Sequence, residues 1–116
     1  MGLEEDIAKY ADAARKHGQA TTAGDSVATN RAYRELSIAW KKIAQSKSNW
    51  HPAFFNLLEN ENAWVRLWAA SHAIHIDAGR SLPVLEALVA EPGFLGFDAQ
   101  MTLEQWRKGK LGGPQV

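Results

Sequence analysis

Apolar residues recur every three or four positions along most of this chain, which is the spacing that places them on one face of an α-helix. The first such stripe contains Leu3, Ile7, Tyr10 and Ala14. The pattern predicts helices near 3–17, 26–46, 51–59, 63–76, 78–90 and 97–109. No stretch alternates apolar and polar residues for long enough to predict a strand, so we expect an all-α fold.

Three of the predicted helices begin at residues suited to a helix start. Asp25 and Asn62 can each accept a hydrogen bond from the first free backbone N–H groups of the helix that follows. Pro52 suits a first turn, because the N–H that proline lacks has no partner within the helix there. These residues fix the predicted starts of the second, third and fourth helices.

Glycine and proline predict where the helices are interrupted. We expect the first helix to stop at His17 and Gly18 and to be followed by the loop "GQATTAGD". The segment "EPGFLGF" is expected to separate the last two helices. Because Pro83 has no N–H, the helix that contains it either begins near Ser81 or has an irregular first part.

The predicted helices pair into hairpins of similar order. The hairpins cover 3–46, 51–76 and 78–109. The second and third align at an offset of about 31 to 33 residues, which is in the range of helical repeats. In that alignment Trp64 corresponds to Phe97 and Trp68 corresponds to Met101. Stacked hairpins would form a short α-α superhelix of about six helices, in which neighbours bury the apolar face that one hairpin cannot bury alone.

The helix "AWVRLWAASHAI" resembles the second helix of a HEAT-type repeat, in which a Val-Arg pair precedes small alanines. The whole chain resembles a bacterial family of short HEAT-like proteins that is known only as a domain of unknown function. The resemblance is carried by "AGDSVATNRAYREL", "NAWVRLWAASHAI", "LPVLEALVAEPG" and "GFDAQMTLEQWRKGKL". It implies an all-α superhelix and supplies no activity. HEAT-like repeats usually place an acid in the turn before the arginine, and Glu61 is the only acid near Arg66 in sequence.

Composition limits the classes of function. The 116 residues fit one domain over 1–110, with 111–116 as a flexible C-terminal tail. Lys plus Arg and Asp plus Glu both number 13, so we expect no global field that attracts nucleic acid or acidic membranes. The chain has no cysteine, which excludes disulfides and cysteine-ligated metals. With no apolar run at the start or of membrane-spanning length, we expect neither a signal peptide nor a membrane span, and a cytoplasmic location.

Two histidines lie on the helix predicted over 63–76. A helical wheel places His72 and His75 on the arc of bulky residues, with small alanines opposite, as in a central, largely buried helix. They could share a metal with Asp77, but a zinc site usually has three or four protein ligands and supporting hydrogen bonds. We therefore expect buried, hydrogen-bonded histidines and no bound metal or cofactor.

The tryptophans and the absence of catalytic motifs complete the picture. Trp40, Trp68 and Trp106 are expected in the core, because burying an indole gains more than burying almost any other side chain. Trp50 and Trp64 stand at helix starts, so we expect them to be partly exposed and available as contacts. No phosphate-binding glycine loop, nucleophile elbow or His-Glu-x-x-His motif is present, so we expect no enzyme.

The sequence therefore predicts a small non-enzymatic helical-repeat module that binds a protein partner, in a biological role that it does not identify. The candidate contacts are Trp50, Trp64, Arg66, Arg107 and Lys108. Homodimerisation through exposed aromatics is one form that this could take. A nucleic-acid-binding α-solenoid is the alternative and is less favoured. It would use Arg31, Arg34, Lys41, Lys42, Arg107 and Lys108. A metal-dependent enzyme centred on His72 and His75 is the least favoured reading.

Overall fold

The computed structural model describes residues 2–111, and this part of the chain consists of α-helices without a strand. The helices are α1 (Leu3–Ala23), α2 (Ser26–Ala44), α3 (His51–Phe55), α4 (Ala63–Ala73), α5 (Ala78–Leu88) and α6 (Gly93–Arg107). A 3-10 turn, Asn56–Glu59, continues α3. The predicted all-α class is confirmed, whereas the HEAT-like superhelical arrangement stays a prediction. Within residues 2–111, no helix combines the length and the apolar character that crossing a membrane requires.

The predicted helix starts at Asp25 and Asn62 are confirmed. The Asp25 carboxylate accepts a hydrogen bond from the backbone N–H of Ala28 at 3.0 Å. The Asn62 side-chain oxygen accepts from the N–H groups of Trp64 and Val65, at 2.9 and 3.2 Å. These bonds satisfy donors that have no carbonyl partner in the first helical turn. Pro52 lies in the first turn of α3, as predicted.

The predicted stop of α1 at His17 and Gly18 is wrong. The helix continues through this pair to Ala23, and only Gly24 and Asp25 connect it to α2. Gly24 adopts a left-handed conformation with φ of 73°, which is where glycine commonly ends a helix. Gly18 is instead buried inside α1. Residues 18–23 of the predicted loop "GQATTAGD" therefore lengthen the first helix, and only Gly24 and Asp25 form a loop.

The start of α5 agrees with the predicted range 78–90, whereas the start of α6 differs from the prediction. α5 begins at Ala78 rather than near Ser81, and its first turn is capped by Asp77, whose carboxylate accepts from the N–H of Arg80 at 3.2 Å. Pro83 is accommodated inside this helix, where its side chain is exposed. α6 begins at Gly93, earlier than the predicted start near 97. Glycine is read in a sequence as a helix breaker, but here Gly93, with φ of 70°, allows the sharp turn from which α6 starts.

α4 is the central helix of the fold, as predicted. It packs against α1, α5 and α6 and against the 3-10 turn. Its small face, formed by Ala69, Ala70 and Ala73, is fully buried. Small side chains let neighbouring helix backbones approach closely, so this one helix can serve several packing contacts. One contiguous apolar core joins residues of all six helices.

The C-terminal end of the described chain returns to this core. The backbone N–H of Leu111 donates to the carbonyl of Gln105 at 3.1 Å, and the Leu111 side chain packs against the core. Leu111 is the first residue of the predicted tail 111–116. The remaining tail residues, 112–116, lie outside the described residues.

Candidate functional site

An aromatic cluster fills the space between α1, α2, α3 and α4. It consists of Tyr10, Trp40, Phe54 and His72. The His72 imidazole stacks on the Trp40 indole with ring centroids 4.3 Å apart and planes inclined by 3°. Tyr10 meets Phe54 edge to face at 5.1 Å. Aromatic pairs in these geometries add to the stabilisation that comes from burial, so the cluster holds the first four helices together.

His72 is a buried, neutral member of this cluster. Its side chain is only 5% exposed, and its Nδ1 lies 2.6 Å from the Tyr10 hydroxyl. Burial, with a smaller contribution from the charge on His75, lowers the pKa of His72 from 6.5 to about 3. A neutral imidazole offers an acceptor nitrogen, and the fully buried Tyr10 hydroxyl needs an acceptor, so Tyr10 donates to Nδ1. His72 thus has a structural role, and the prediction that it is buried is confirmed.

His72 and His75, the two histidines considered as metal ligands, lie in different environments. His75 is half-buried, and its ring contacts the Trp106 indole at 5.5 Å. Asp77, the third candidate ligand, caps α5. Within residues 2–111, no group of three or more histidine, aspartate or glutamate side chains is arranged so that it could hold a metal ion.

Trp64 packs against α1. It is half-buried, and its indole occupies the space directly above Gly18, where any side chain would overlap the ring. The His17 ring lies 6.4 Å from Trp64 and 5.1 Å from Trp68. The expected partial exposure of Trp64 is confirmed, but much of its surface already packs within the chain.

Two titratable side chains, His17 and Asp98, influence each other where α6 meets α1. Burial lowers the pKa of His17, and the opposite charge of Asp98 partly offsets that effect. Burial also raises the pKa of Asp98, against the influence of His17. The two groups belong to α1 and α6, so they mark the boundary between α1 and the N-terminal half of α6.

The other tryptophans are placed partly as predicted. Trp40 is buried in the aromatic cluster, whereas Trp68 and Trp106 are only half-buried. Trp50 is half-buried as well, and it contacts Trp40 edge to face at 5.6 Å. Its partial exposure agrees with the prediction, and its buried side packs against the aromatic cluster.

Arg66 is held by the turn that precedes α4. Its Nη1 donates to the backbone carbonyls of Asn60 and Glu61, at 2.7 and 3.2 Å. Charge-assisted bonds to carbonyl oxygens hold this turn. The contact with Glu61, the acid nearest to Arg66 in sequence, is made to its backbone oxygen.

Arg107 and Lys108 lie at the C-terminal end of α6, and both are exposed. Arg107 approaches Glu86 of α5 at 3.9 Å, a surface ion pair that contributes little to stability. Lys108 directly follows the last residue of α6, and its backbone keeps a helical conformation. The structure therefore leaves a positive group at this end of α6, close to the solvent.

Sequence reasoning missed the outer face of α6. Phe94, Phe97 and Met101 are 58%, 59% and 39% exposed. At 3.6 residues per turn they lie within about 60° of one another around the helix axis, forming one stripe. Gly96, Ala99 and Leu103 occupy the opposite face and are buried. We call Phe94, Phe97 and Met101 the outer stripe of α6.

The spacing of the outer stripe was visible in the sequence, since its members are separated by three and four residues. The stripe through Ala99, Leu103 and Trp106 has the same spacing, and either one could have faced the core. In the repeat alignment Phe97 and Met101 correspond to Trp64 and Trp68. They are nevertheless exposed, whereas the two tryptophans are half-buried.

The outer side of the α1–α2 hairpin carries charges of both signs. A shallow groove of about 310 Å³ is lined by residues that include Lys9, Lys42, Asp6 and Asp12. A neighbouring groove has Arg31 between Asp25 and Glu35. Two of the residues considered for nucleic-acid binding, Arg31 and Lys42, thus lie in grooves that also contain carboxylates.

Comparison of the chain with known protein families, with curated proteins and with solved structures found no match.

Proposed function

We propose that this protein is a non-enzymatic binding module whose contact surface for a protein partner is the outer stripe of α6. The observation that carries the proposal is the exposure of two phenylalanines and a methionine in one row on a helix whose opposite face is buried. Contiguous exposed apolar groups on a soluble fold mark interaction sites, and aromatic residues and methionine are enriched in the cores of interfaces.

The arrangement of α6 supports this reading. A helix that is apolar on two opposite sides is expected to be covered on both of them. α4 and α5 cover the inner side, through Ala99 and Leu103. The outer stripe is the side that a partner would cover.

The contacts proposed from the sequence divide into two groups. Trp50, Trp64 and Arg66 are each engaged within the chain, so we assign them mainly to folding. Arg107 and Lys108 stand at the end of the outer stripe, and Lys108 follows Met101 by two helical turns on the same face. We therefore keep Lys108 as a contact candidate, with the outer stripe as the centre of the surface.

The test is capture of a partner from the native host with wild-type protein, followed by identification of that partner and rebinding with both components purified. Phe97→Ser should reduce rebinding by at least about tenfold, as expected when a central interface anchor is lost. Ile38→Ser is the matched control, because Ile38 is exposed to a similar degree, 57%, but lines the groove between α1 and α2. Equal rebinding by the wild type and Phe97→Ser would refute the assignment of the surface.

A further inference from the structure

The outer stripe and the cations beyond it also indicate what kind of partner fits. We propose that the surface binds an amphipathic helix that runs antiparallel to α6 and carries acidic residues in its first turn. This inference rests on the proposed function and specifies its partner. The partner's apolar residues would lie against Phe94, Phe97 and Met101, and its acids would lie near Lys108.

The area of the outer stripe favours a single helix over a second folded copy of this chain. Taking about 200 Å² for each large side chain, the exposed fractions leave roughly 300 Å² of apolar surface. A stable complex between two folded proteins usually buries about 800 Å² on each partner. An amphipathic helix can lie along a single apolar helix face through anchors spaced three, four and seven residues apart.

The length of the surface sets the length of the partner. The fourteen steps from Phe94 to Lys108 span about 21 Å at a rise of 1.5 Å per residue. A partner helix of about four turns covers that distance. Its apolar positions would occupy the half near Phe94 and Phe97, and its charged positions would occupy the half near Lys108.

Charge sets the direction of the partner. Lys108 and Lys110 are exposed at the C-terminal end of α6, so acidic side chains are favoured there. The end of α6 itself bears the partial negative charge of the helix dipole, which favours the positive N-terminal end of a neighbouring helix. Acids are also most stable in the first turn of their own helix. All three preferences are met together only by an antiparallel helix with acids in its first turn.

Selection from a display library of helical peptides of about 16 residues, with the whole chain as bait, tests this proposal directly. The enriched peptides should carry apolar residues spaced three, four and seven apart, preceded by Asp or Glu. Phe97→Ser should weaken the best synthetic peptide by at least about tenfold, while Ile38→Ser should leave its affinity unchanged. When the Lys108→Glu variant is the bait, the enriched peptides should carry Lys or Arg in place of the acids, since complementary charge sets this preference.

Four outcomes would overturn the proposal. The first three are enriched peptides without the apolar spacing, enriched peptides whose charges do not respond to Lys108→Glu, and the absence of any enrichment. A fourth is self-association in sedimentation velocity that Phe97→Ser abolishes, because the occupant would then be a second copy. If the host partner still depends on Phe97 while peptide selection fails, the proposed function stands and only this choice of partner is wrong.

Discussion

Gly18 of α1 lies directly beneath the indole of Trp64 in α4, so close that a methyl group at position 18 would overlap the ring. The glycine stands in the middle of a long helix, where it is intrinsically unfavourable. Its presence is explained by the neighbouring helix, because only a residue without a side chain lets Trp64 lie against the α1 backbone. Two features that looked like a helix stop and an exposed aromatic thus form one packing contact.

Replacing Gly18 with alanine should therefore destabilise the protein. Alanine would gain about 1 kcal/mol from helix propensity, but displacing the indole should cost about 2–3 kcal/mol, for a net loss of about 1–2 kcal/mol in the free energy of unfolding. Urea denaturation followed by circular dichroism measures the change. Gly79→Ala is the control, because it also lies in a helix and the nearest atom to an added Cβ is 3.4 Å away. A Gly18→Ala protein as stable as the wild type would contradict the contact.

Tyr10→Phe should cost about 1–3 kcal/mol of stability, because it removes the hydroxyl that donates to the buried Nδ1 of His72. The aromatic ring is kept, so the packing against Phe54 and Trp40 should change little. Tyr33→Phe provides the comparison, since the Tyr33 side chain is exposed and the loss of its hydroxyl should stay within about 0.5 kcal/mol. Equal effects of the two substitutions would mean that the Tyr10 hydrogen bond contributes nothing measurable.

The depressed pKa of His72 predicts acid sensitivity. Its pKa is about 3 in the folded chain and near 6.5 when the chain is unfolded, so the unfolded state binds one more proton between those pH values. Stability should therefore be fully present above pH 6.5 and should fall by about 1.4 kcal/mol per pH unit as the pH decreases towards 3.

His72→Gln should flatten this dependence, measured by denaturation at a series of pH values, because glutamine does not titrate. His17→Gln should change the slope in the same direction but less, since His17 is only half-buried and its pKa is also lowered. Asp98 acts with the opposite sign: its raised pKa favours the folded state as the pH decreases. An unaltered pH profile in His72→Gln would show that His72 is not the group responsible.

Two residues of similar size on α6 should respond very differently to truncation. Leu103→Ala should cost about 2–5 kcal/mol, because Leu103 is buried in the core. Met101→Ala should cost well under 1 kcal/mol, since Met101 belongs to the outer stripe. Thermal denaturation of the two variants compares them. A large loss for Met101→Ala would place that side chain in the fold rather than on a contact surface.

Local signals were sufficient where the determining interaction is local. The apolar spacing predicted each of the six helices, and Asp25 and Asn62 marked two starts correctly, because a capping side chain bonds to backbone only two or three residues away. The wheel of α4 also predicted the burial of His72, since alanines on one side and bulky residues on the other imply neighbours on both.

Glycine and proline misled the prediction where a distant contact decides their role. Gly18 is a helix stop in the local pattern, and only the position of Trp64 shows why it lies within α1. The residues next to Gly18 do not reveal this close approach, because Trp64 lies 46 positions further along the chain.

The sequence by itself determined an all-α chain, the number of its helices, two of its caps and the central place of α4, because these depend on periodicity and on bonds within one turn. Only the tertiary structure decided which of the two apolar stripes of α6 faces the core. Both stripes have helical spacing, and burial selects between them by the shape of the surface that α4 and α5 present. The face left over, with Phe94, Phe97 and Met101, is the surface to which we assign binding, and local sequence alone does not distinguish it from the core.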